Sequence, residues 1–464
     1  MTQQTTTLVD RLTTYSANLK YEDLPADVIH QAKRLIIDSL GCALGGYASE
    51  PARIARELAS TVTSTLPATI YGSGHCSSVD AVTFANGVML RFLDFNDGYT
   101  STGESGHPSD SIAAVLTVAE AKHRSGKEVI TATVLAYEVF CRVCDAVDLK
   151  PLGFDHVTIG GMASTAAAAR LLGLPDDKMA HAFNLGIAPN VALYQTRIGH
   201  VSMWKGCAYA NASRNAVFAA LLAERGMTGP SPIFEGVGGY FKAVTHASFG
   251  LDAMGGRDHP YKIMECSIKR YPLGQYSQTV VQAALEARAK IRPGDDIAEV
   301  RIETVTTAVR LMAGDPEKWT PATRETADHS MPYTVAVALI HGGVEEHHFD
   351  EKYLRDMAIL ALAQRVKVTA TEEADKRMPE AMLCKLSIVT QSGAVHTSIV
   401  DYHKGHYRNP MSDQEVAGKF RPLAARVLSS QRSDELLDRL WKLDEVADMA
   451  QVVRLMVAES GRVT

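Results

Sequence analysis

Residues 91–110 read RFLDFNDGYTSTGESGHPSD. They bring Asp94, Asn96, Asp97, Glu104, His107, Ser109 and Asp110 into one short, glycine-punctuated connection between two apolar helical runs. Loops held by rigid helices are where catalytic groups tend to be placed. A histidine and several carboxylates in reach of one another can act as a general acid/base pair. The same residues also suit a purely structural part. Asp94 can cap a helix, Gly106-His107-Pro108-Ser109 is turn chemistry, and Ser109 or Asp110 can cap the next helix.

Three further places carry chemistry-bearing types. In Gly153-Phe154-Asp155-His156-Val157-Thr158 a histidine stands just before a helix start, where free backbone N–H groups favour anions. In the segment 197–206, Arg197, His200 and Lys205 sit in and just after a loop. Lys205 follows Trp204 and heads a run of small residues, so its amine is expected at a dry helix end. Lysine is seldom buried unpaired, and a substrate carboxylate is a natural partner. Finally, Lys269, Arg270, Tyr271, Tyr276, Ser277 and Gln278 combine cations, phenols and hydrogen-bonding groups where the character of the chain changes. Domain boundaries are common places for ligands.

Other motifs read as structural. Cys141 and Cys144 form a CxxC inside an amphipathic helix with no second CxxC nearby, and the other five cysteines show no cluster spacing. Glu345-Glu346-His347-His348 resembles a metal tract, but neighbouring residues in a polar loop are expected to point apart. Phe234-Glu-Gly-Val-Gly-Gly lacks the Lys-Ser/Thr and the preceding strand of a phosphate loop and reads as a tight turn. No metal and no cofactor are called for.

These residues need elements to hold them. Apolar residues recur at three- and four-residue spacing from Leu24 to Gly46, between Pro25 and a closing Gly45-Gly46. Similar runs lie at about 51–62, 79–93, 108–125, 127–147, 160–173, 176–190 and 204–225. Many are rich in Ala and Gly, which lets helix axes approach closely. After about Pro260, period-two alternation appears at 300–302, 365–369, 385–390 and 395–400. The last two flank Gln391-Ser392-Gly393, a hairpin signal. Helical runs at 277–290 and 329–342 lie between. Ser412 to Glu415 then form a capping box ahead of renewed helix. The expected fold is mainly α. Both chain ends, 1–261 and 403–464, build a large helical domain, and a smaller α+β domain at 262–402 is inserted as a lid.

The 464 residues, 46% apolar and 22% charged, suit a large globular core. A net charge of −6 gives no field to recruit nucleic acid or an anionic membrane. The N-terminal MTQQTTTLVDRL lacks a signal-peptide pattern, and no apolar run approaches a membrane span. Seven scattered cysteines point to a reducing cytoplasm.

Taken together, the chain resembles the MmgE/PrpD family, most closely its 2-methylcitrate dehydratase branch. The match is carried by Leu93-Asp94-Phe95-Asn96-Asp97, Gly106-His107-Pro108-Ser109-Asp110, Asp155-His156-Val157 with Ala163-Ser164-Thr165, and Trp204-Lys205. It continues through Tyr271-Pro272, Ser277-Gln278-Thr279 and Ala327-Asp328-His329-Ser330-Met331-Pro332-Tyr333. The resemblance implies a homodimer and chemistry without an iron–sulfur cluster. It places the active-site Asp on Asp94, two histidines on His107 and His156, the lysine on Lys205 and a lid tyrosine on Tyr333. It also marks two departures. Gly98 stands where the decarboxylase branch carries Thr. Gln275, Tyr276 and Gln278 stand where both branches tend to carry a lid histidine.

The reaction so implied is removal of water from a tricarboxylic acid such as 2-methylcitrate or citrate. It needs one group to take a C–H proton beside a carboxylate and another to protonate the leaving hydroxyl. His107 and His156 are the candidates for proton transfer, with Asp94 orienting a histidine. Lys205, Lys269 and Arg197 would bind carboxylates, with Tyr276 and Gln278 beside them. A cis-aconitate decarboxylase could use the same set, and a tricarboxylate-binding protein without turnover is the reading from another class.

Overall fold

Among the described residues three α-helix starts carry reciprocal capping boxes: Thr7 with Asp10, Ser125 with Glu128, and Ser412 with Glu415. Each satisfies two backbone donors that a helix start otherwise leaves open. The last is the box expected from sequence. The structure is a computed structural model that describes residues 6–199 and 201–459, so His200 lies outside the described residues. The protein is mainly helical.

The helices that matter for function are Val79–Phe92, Gly126–Ala146, Val157–Leu172 and Trp204–Glu224. In Val157–Leu172 every side chain but that of Arg170 is buried. Its Ala- and Gly-rich sequence allows this, because small residues let neighbours pack on all sides. The apolar core there merges residues of 8–268 with residues of 411–456. A second apolar cluster draws on residues 273–400.

A four-stranded sheet belongs to that second cluster. After a short β1 (Pro67–Thr69) and β2 (Cys76–Ser78), its strands are β3 (Ile297–Thr304), β4 (Val366–Ala370), β5 (Cys384–Thr390) and β6 (Val395–Val400). Their order is β4-β3-β5-β6. Only the β3–β4 pair is parallel. Val300 stands opposite Val366 on one side and Ile388 on the other, so the period-two alternation turns one apolar face inward. Gly393 takes a φ of 85° in the β5–β6 turn, as the hairpin signal requires.

The structure departs from the expectations in a few places. β1 and β2 form an antiparallel hairpin inside the stretch read as all helical. Three-residue strands are too short for periodicity to register. The run from 108 opens with a 3₁₀ turn, Pro108–Ser111, before helix Ile112–Ala121. His347 and His348 do not point apart: their ring centroids lie 4.2 Å from each other, and His348 is buried with Nδ1 accepting the Glu345 N–H. The Phe234 glycine run does turn tightly, with Gly236 N–H donating to the Pro232 carbonyl and Gly239 N–H to that of Gly236. Cys141 and Cys144 are buried in Gly126–Ala146, with Cys141 Sγ 3.9 Å from Cys266 Sγ.

Candidate active site

Helix Val79–Phe92 ends at Leu93, and Asp94 then takes a φ of 50°. That left-handed conformation is costly for a residue with a side chain, and Asp tolerates it better than most. It turns the carboxylate into a ring of buried cations. Asp94 Oδ1 accepts from Arg91 at 2.7 Å and from Lys269 Nζ at 2.5 Å. Oδ2 lies 3.2 Å from Lys205 Nζ and 3.2 Å from His329 Nε2. Burial alone would raise the pKa of Asp94. Arg91, Lys269, Lys205 and His329 outweigh it and hold the carboxyl well below its usual range. Lys269 is pulled down to about 8 by burial, against the opposing pull of Asp94.

Lys205 enters from the first turn of Trp204–Glu224. Its ammonium donates to Asp328 Oδ1 at 2.8 Å and lies 2.8 Å from His329 Nδ1. His329 Nδ1 also lies 2.5 Å from Asp328 Oδ1. A single ring nitrogen cannot accept from Lys205 and donate to Asp328 at once, so His329 Nδ1 either donates to Asp328 or accepts from Lys205, according to its tautomer. Asp94, Asp328 and His329 could by spacing hold a metal ion, their donor atoms lying within 4.8 Å of one another. The Lys205 ammonium, however, already sits against all three as their cation.

The loop after Asp94 carries the first expected histidine. His107 Nδ1 is 2.6 Å from the Asp97 carbonyl oxygen. A carbonyl can only accept, so Nδ1 carries the hydrogen and the neutral ring keeps its lone pair on Nε2. Burial, with Arg91 and Lys269 adding to it, holds the pKa of His107 well below the ordinary value. His156 meets it edge-on with centroids 5.6 Å apart. Gly106 makes the approach possible, since a Cβ there would lie 2.6 Å from His156 Cδ2. His156 is lowered to about 3, mainly by burial, and its Nε2 has no hydrogen-bond partner among the described residues.

Asp155 fixes the far wall. It accepts from the Val157 N–H at the helix start, at 3.0 Å, and pairs with Arg197 at 2.9 Å. Burial works against its ionisation, yet Arg197 and His156 pull its pKa down. Arg91, Ser105, His107, Lys150, Asp155, His156, Tyr194, Arg197, Lys205, Gln275, Tyr276, Lys318 and His329 together line one pocket.

The expected residues fall in three groups. His107, His156, Lys205, Arg197 and Tyr276 line the pocket. Asp94 and Lys269 form a buried ion pair outside the lining, and Asp94 reaches the pocket only through Arg91, Lys205 and His329. Tyr333 and Gln278 are not brought there. Tyr333 starts helix Met331–His341, is fully buried, and donates its hydroxyl to the His348 carbonyl at 2.6 Å. Gln278 is spent on the backbone of its own turn: its amide donates to the Tyr271 and Leu273 carbonyls and its Oε1 accepts from the Arg270 and Tyr271 N–H groups. Two roles also change. Asp94 approaches His329 rather than His107 or His156, and the partners of Lys205 are protein carboxylates.

Sequence reasoning passed over His329, Arg91, Lys150, Gln275 and Lys318 as site residues. His329 sat inside the Ala327–Tyr333 motif, where Tyr333 drew the assignment. Gln275 occupies the space beside Gly98: a Cβ on Gly98 would lie 2.5 Å from Gln275 Oε1. The cysteines stay apart from this chemistry. Burial first of all raises the pKa of Cys141, Cys144 and Cys266 and disfavours the thiolates that metal clusters need.

The chain matches the MmgE/PrpD N-terminal domain over residues 10–251 and the MmgE/PrpD C-terminal domain over residues 271–443. It is 26% identical to cis-aconitate decarboxylase of Homo sapiens over 470 residues, covering 95% of this chain and 93% of that protein. It is 27% identical to 2-methylcitrate dehydratase of Escherichia coli K12 over 450 residues, covering 90% of this chain and 91% of that protein. The 2-methylcitrate dehydratase of Salmonella typhimurium is 28% identical over 457 residues, with 90% and 91% covered. Identities this close do not separate the two reactions. Among the described residues no helix is long and apolar enough to cross a membrane.

Proposed function

Because the chain belongs to the MmgE/PrpD family, we propose that it is a hydro-lyase removing water from a tricarboxylic hydroxy acid such as 2-methylcitrate or citrate, with side chains and no iron–sulfur cluster carrying the chemistry. The observation that carries the reading is His107, a neutral imidazole whose Nδ1–H is tied to the Asp97 carbonyl and whose ring lines a pocket rich in cations. Such a ring is a base with a fixed direction. Its Nε2 takes the C–H proton beside a substrate carboxylate, the electron pair left behind forms the C=C bond, and the C–O bond breaks. The departing hydroxyl takes a proton from the Lys205 ammonium of the Lys205–His329–Asp328 cluster and leaves as water.

Charge that builds on the carboxylate during proton removal is stabilised by the fixed cations Arg91 and Lys205, held in place beforehand by Asp94. Asp155 and Arg197 hold the wall behind His156, which steers the substrate against His107. Gly98 favours this reading over decarboxylation. The side chain expected there in the decarboxylase branch would meet Gln275.

Residues 262–402 serve in this proposal as a lid on the helical part, since His329 and Lys269 come from that segment and reach Asp94. The exposed apolar side chains Val191, Leu193, Ile198, Met203 and Trp204, clustered in sequence next to pocket residues, suit the interface of a homodimer. Sedimentation of the purified protein tests the dimer. For the reaction, citrate, 2-methylcitrate and cis-aconitate are each incubated with the protein and followed by mass spectrometry. Loss of 18 mass units is water by elementary mass, and loss of 44 is carbon dioxide. Carbon dioxide loss from cis-aconitate with no dehydration of the other two acids replaces the hydro-lyase reading by the decarboxylase one.

A further inference from the structure

Five cations line the pocket: Arg91, Lys150, Arg197, Lys205 and Lys318. Four are already neutralised by protein carboxylates. Arg91 pairs with Asp94 and Asp110, Lys150 with Glu104, Arg197 with Asp155, and Lys205 with Asp94 and Asp328. Lys318 differs. It is 6% exposed, and among the described residues its ammonium has neither a hydrogen bond nor an ion pair. Burial, with Lys205 adding to it, lowers its pKa, and Asp328 only partly opposes the shift. Its side chain is largely enclosed while its ammonium is left to the pocket, so an anion entering there meets a cation that no protein group has claimed.

The surroundings hold Lys318 in place. It ends the 3₁₀ turn Pro316–Lys318, and its carbonyl accepts from the Ser330 hydroxyl. Ser330 also caps helix Met331–His341 through the Tyr333 N–H, at 3.1 Å. Lys318 is thus bonded to the segment that carries Asp328 and His329. Leu311 and Met312 line the same pocket and offer an apolar wall for its stem.

We infer that Lys318 is a specificity-determining residue: it is the counter-ion for one carboxylate of the ligand, and it sets the preference of this site for a tricarboxylate over a dicarboxylate. The inference rests on the carboxylate-binding reading of the pocket but not on the reaction assigned to it. The other pocket cations are balanced within the protein, so each adds a contact to a ligand carboxylate while little net positive charge is left over. Lys318 brings the charge that the free protein leaves unbalanced. Ligand binding gives that ammonium its missing partner, and a ligand short of one carboxylate forgoes the gain.

The test uses two unreactive compounds, propane-1,2,3-tricarboxylate and glutarate, titrated by calorimetry into wild-type protein and the Lys318→Met and Lys318→Arg variants. Lys318→Met is expected to weaken tricarboxylate binding by roughly ten- to a hundredfold, the loss of one charge-assisted contact, with glutarate affected less than about threefold. Lys318→Arg is expected to keep the preference. Without ligand, Lys318→Met is expected to melt no lower than the wild type, because the ammonium has no protein partner to lose. Equal weakening of both compounds, no weakening of either, no binding of either to the wild type, or a lower melting temperature of Lys318→Met each overturns the assignment. A wild-type protein that binds the tricarboxylate but converts none of the three acids defeats the hydro-lyase reading and leaves Lys318 as the carboxylate site.

Discussion

His107 and His156 stand edge to face with their ring centroids 5.6 Å apart, and both line the pocket. Only His107 has its tautomer fixed by a carbonyl, through Asp97. His156 instead has Nδ1 3.2 Å from an Asp155 carboxylate that Arg197 already holds. The pair therefore divides into a base and the ring that backs it.

Replacing His107 by Gln is expected to cost about a hundred- to ten-thousand-fold in turnover, the usual worth of a general base. His156→Gln is expected to cost less. The double variant should fall little below His107→Gln, because groups serving one step are not additive. Turnover per folded molecule, with melting temperature measured on the same preparation, decides the matter. Additive losses would separate the two rings mechanistically.

Lys205→Ala should damage stability as well as turnover. The ammonium lies against Asp94 and Asp328, both buried, and removing one partner of a buried ionic cluster typically costs about 3–5 kcal/mol. Adding Asp328→Asn should recover part of the melting temperature but none of the turnover. A folded Lys205→Ala with wild-type melting temperature would show that the cluster relaxes without cost. Sequence alone assigns Lys205 a substrate carboxylate as its partner, because the two protein carboxylates that share it come from distant positions.

That difference shows what was readable in the sequence. Asp94, His107, His156, Lys205 and Arg197 could be picked out because polar types at loop and helix-start positions are informative locally. His329 and Lys318 reach the pocket from 3₁₀ turns and short helices after residue 315, and their placement depends on how that segment docks. Arg91 reads as an ordinary basic residue in the last turn of an apolar helix until the turn at Asp94 folds the carboxylate back onto it. Tyr333 was misplaced for the opposite reason: its neighbours belong to the site, yet helical geometry turns its own side chain into the core. Strand positions 300–302 and 385–390 were legible because one face of the sheet is buried, which leaves the alternation in the sequence.

Tyr333→Phe is accordingly expected to leave turnover within about twofold, and to lower stability by about 1 kcal/mol, the net worth of a typical buried hydrogen bond. The hydroxyl removed is the donor to the His348 carbonyl. Chemical denaturation and steady-state kinetics on one preparation check both halves. A large fall in turnover with unchanged stability would return Tyr333 to the catalytic set.

Asp110 carries a prediction about pH. Burial pushes its pKa up to about 7, against Arg91, so between the ordinary carboxyl range and about 7 the native protein holds a proton that the unfolded chain has released. The folded state binds more protons there, and stability from this group falls as pH rises through that window. Asp110→Asn removes the dependence while losing the approach to Arg91. Its melting temperature relative to the wild type should therefore rise from pH 4 to pH 8. A difference that stays flat across the window would place the carboxyl of Asp110 in its ordinary range.

Gly98 and Gln275 form the last test, because the missing side chain of Gly98 leaves the room that the Gln275 amide takes beside the pocket. A Cβ on Gly98 would lie 2.5 Å from Gln275 Oε1 and 2.8 Å from its Cδ. Gly98 cannot back away, since its N–H and carbonyl are both bonded to Ser267 at 2.9 Å. Gly98→Thr must therefore displace the Gln275 amide, which lines the pocket and whose Oε1 has no partner among the described residues. Overpacking of this kind typically costs about 1–3 kcal/mol. Here it should also raise KM, because the amide moves into the space the substrate needs. Gln275→Ala alone should be mild. Combined with Gly98→Thr it should restore most of the stability and KM, giving a coupling of about 0.5–3 kcal/mol in a double-mutant cycle. Additive effects, or a Gly98→Thr protein with unchanged KM, would show that Gln275 does not define this wall of the pocket.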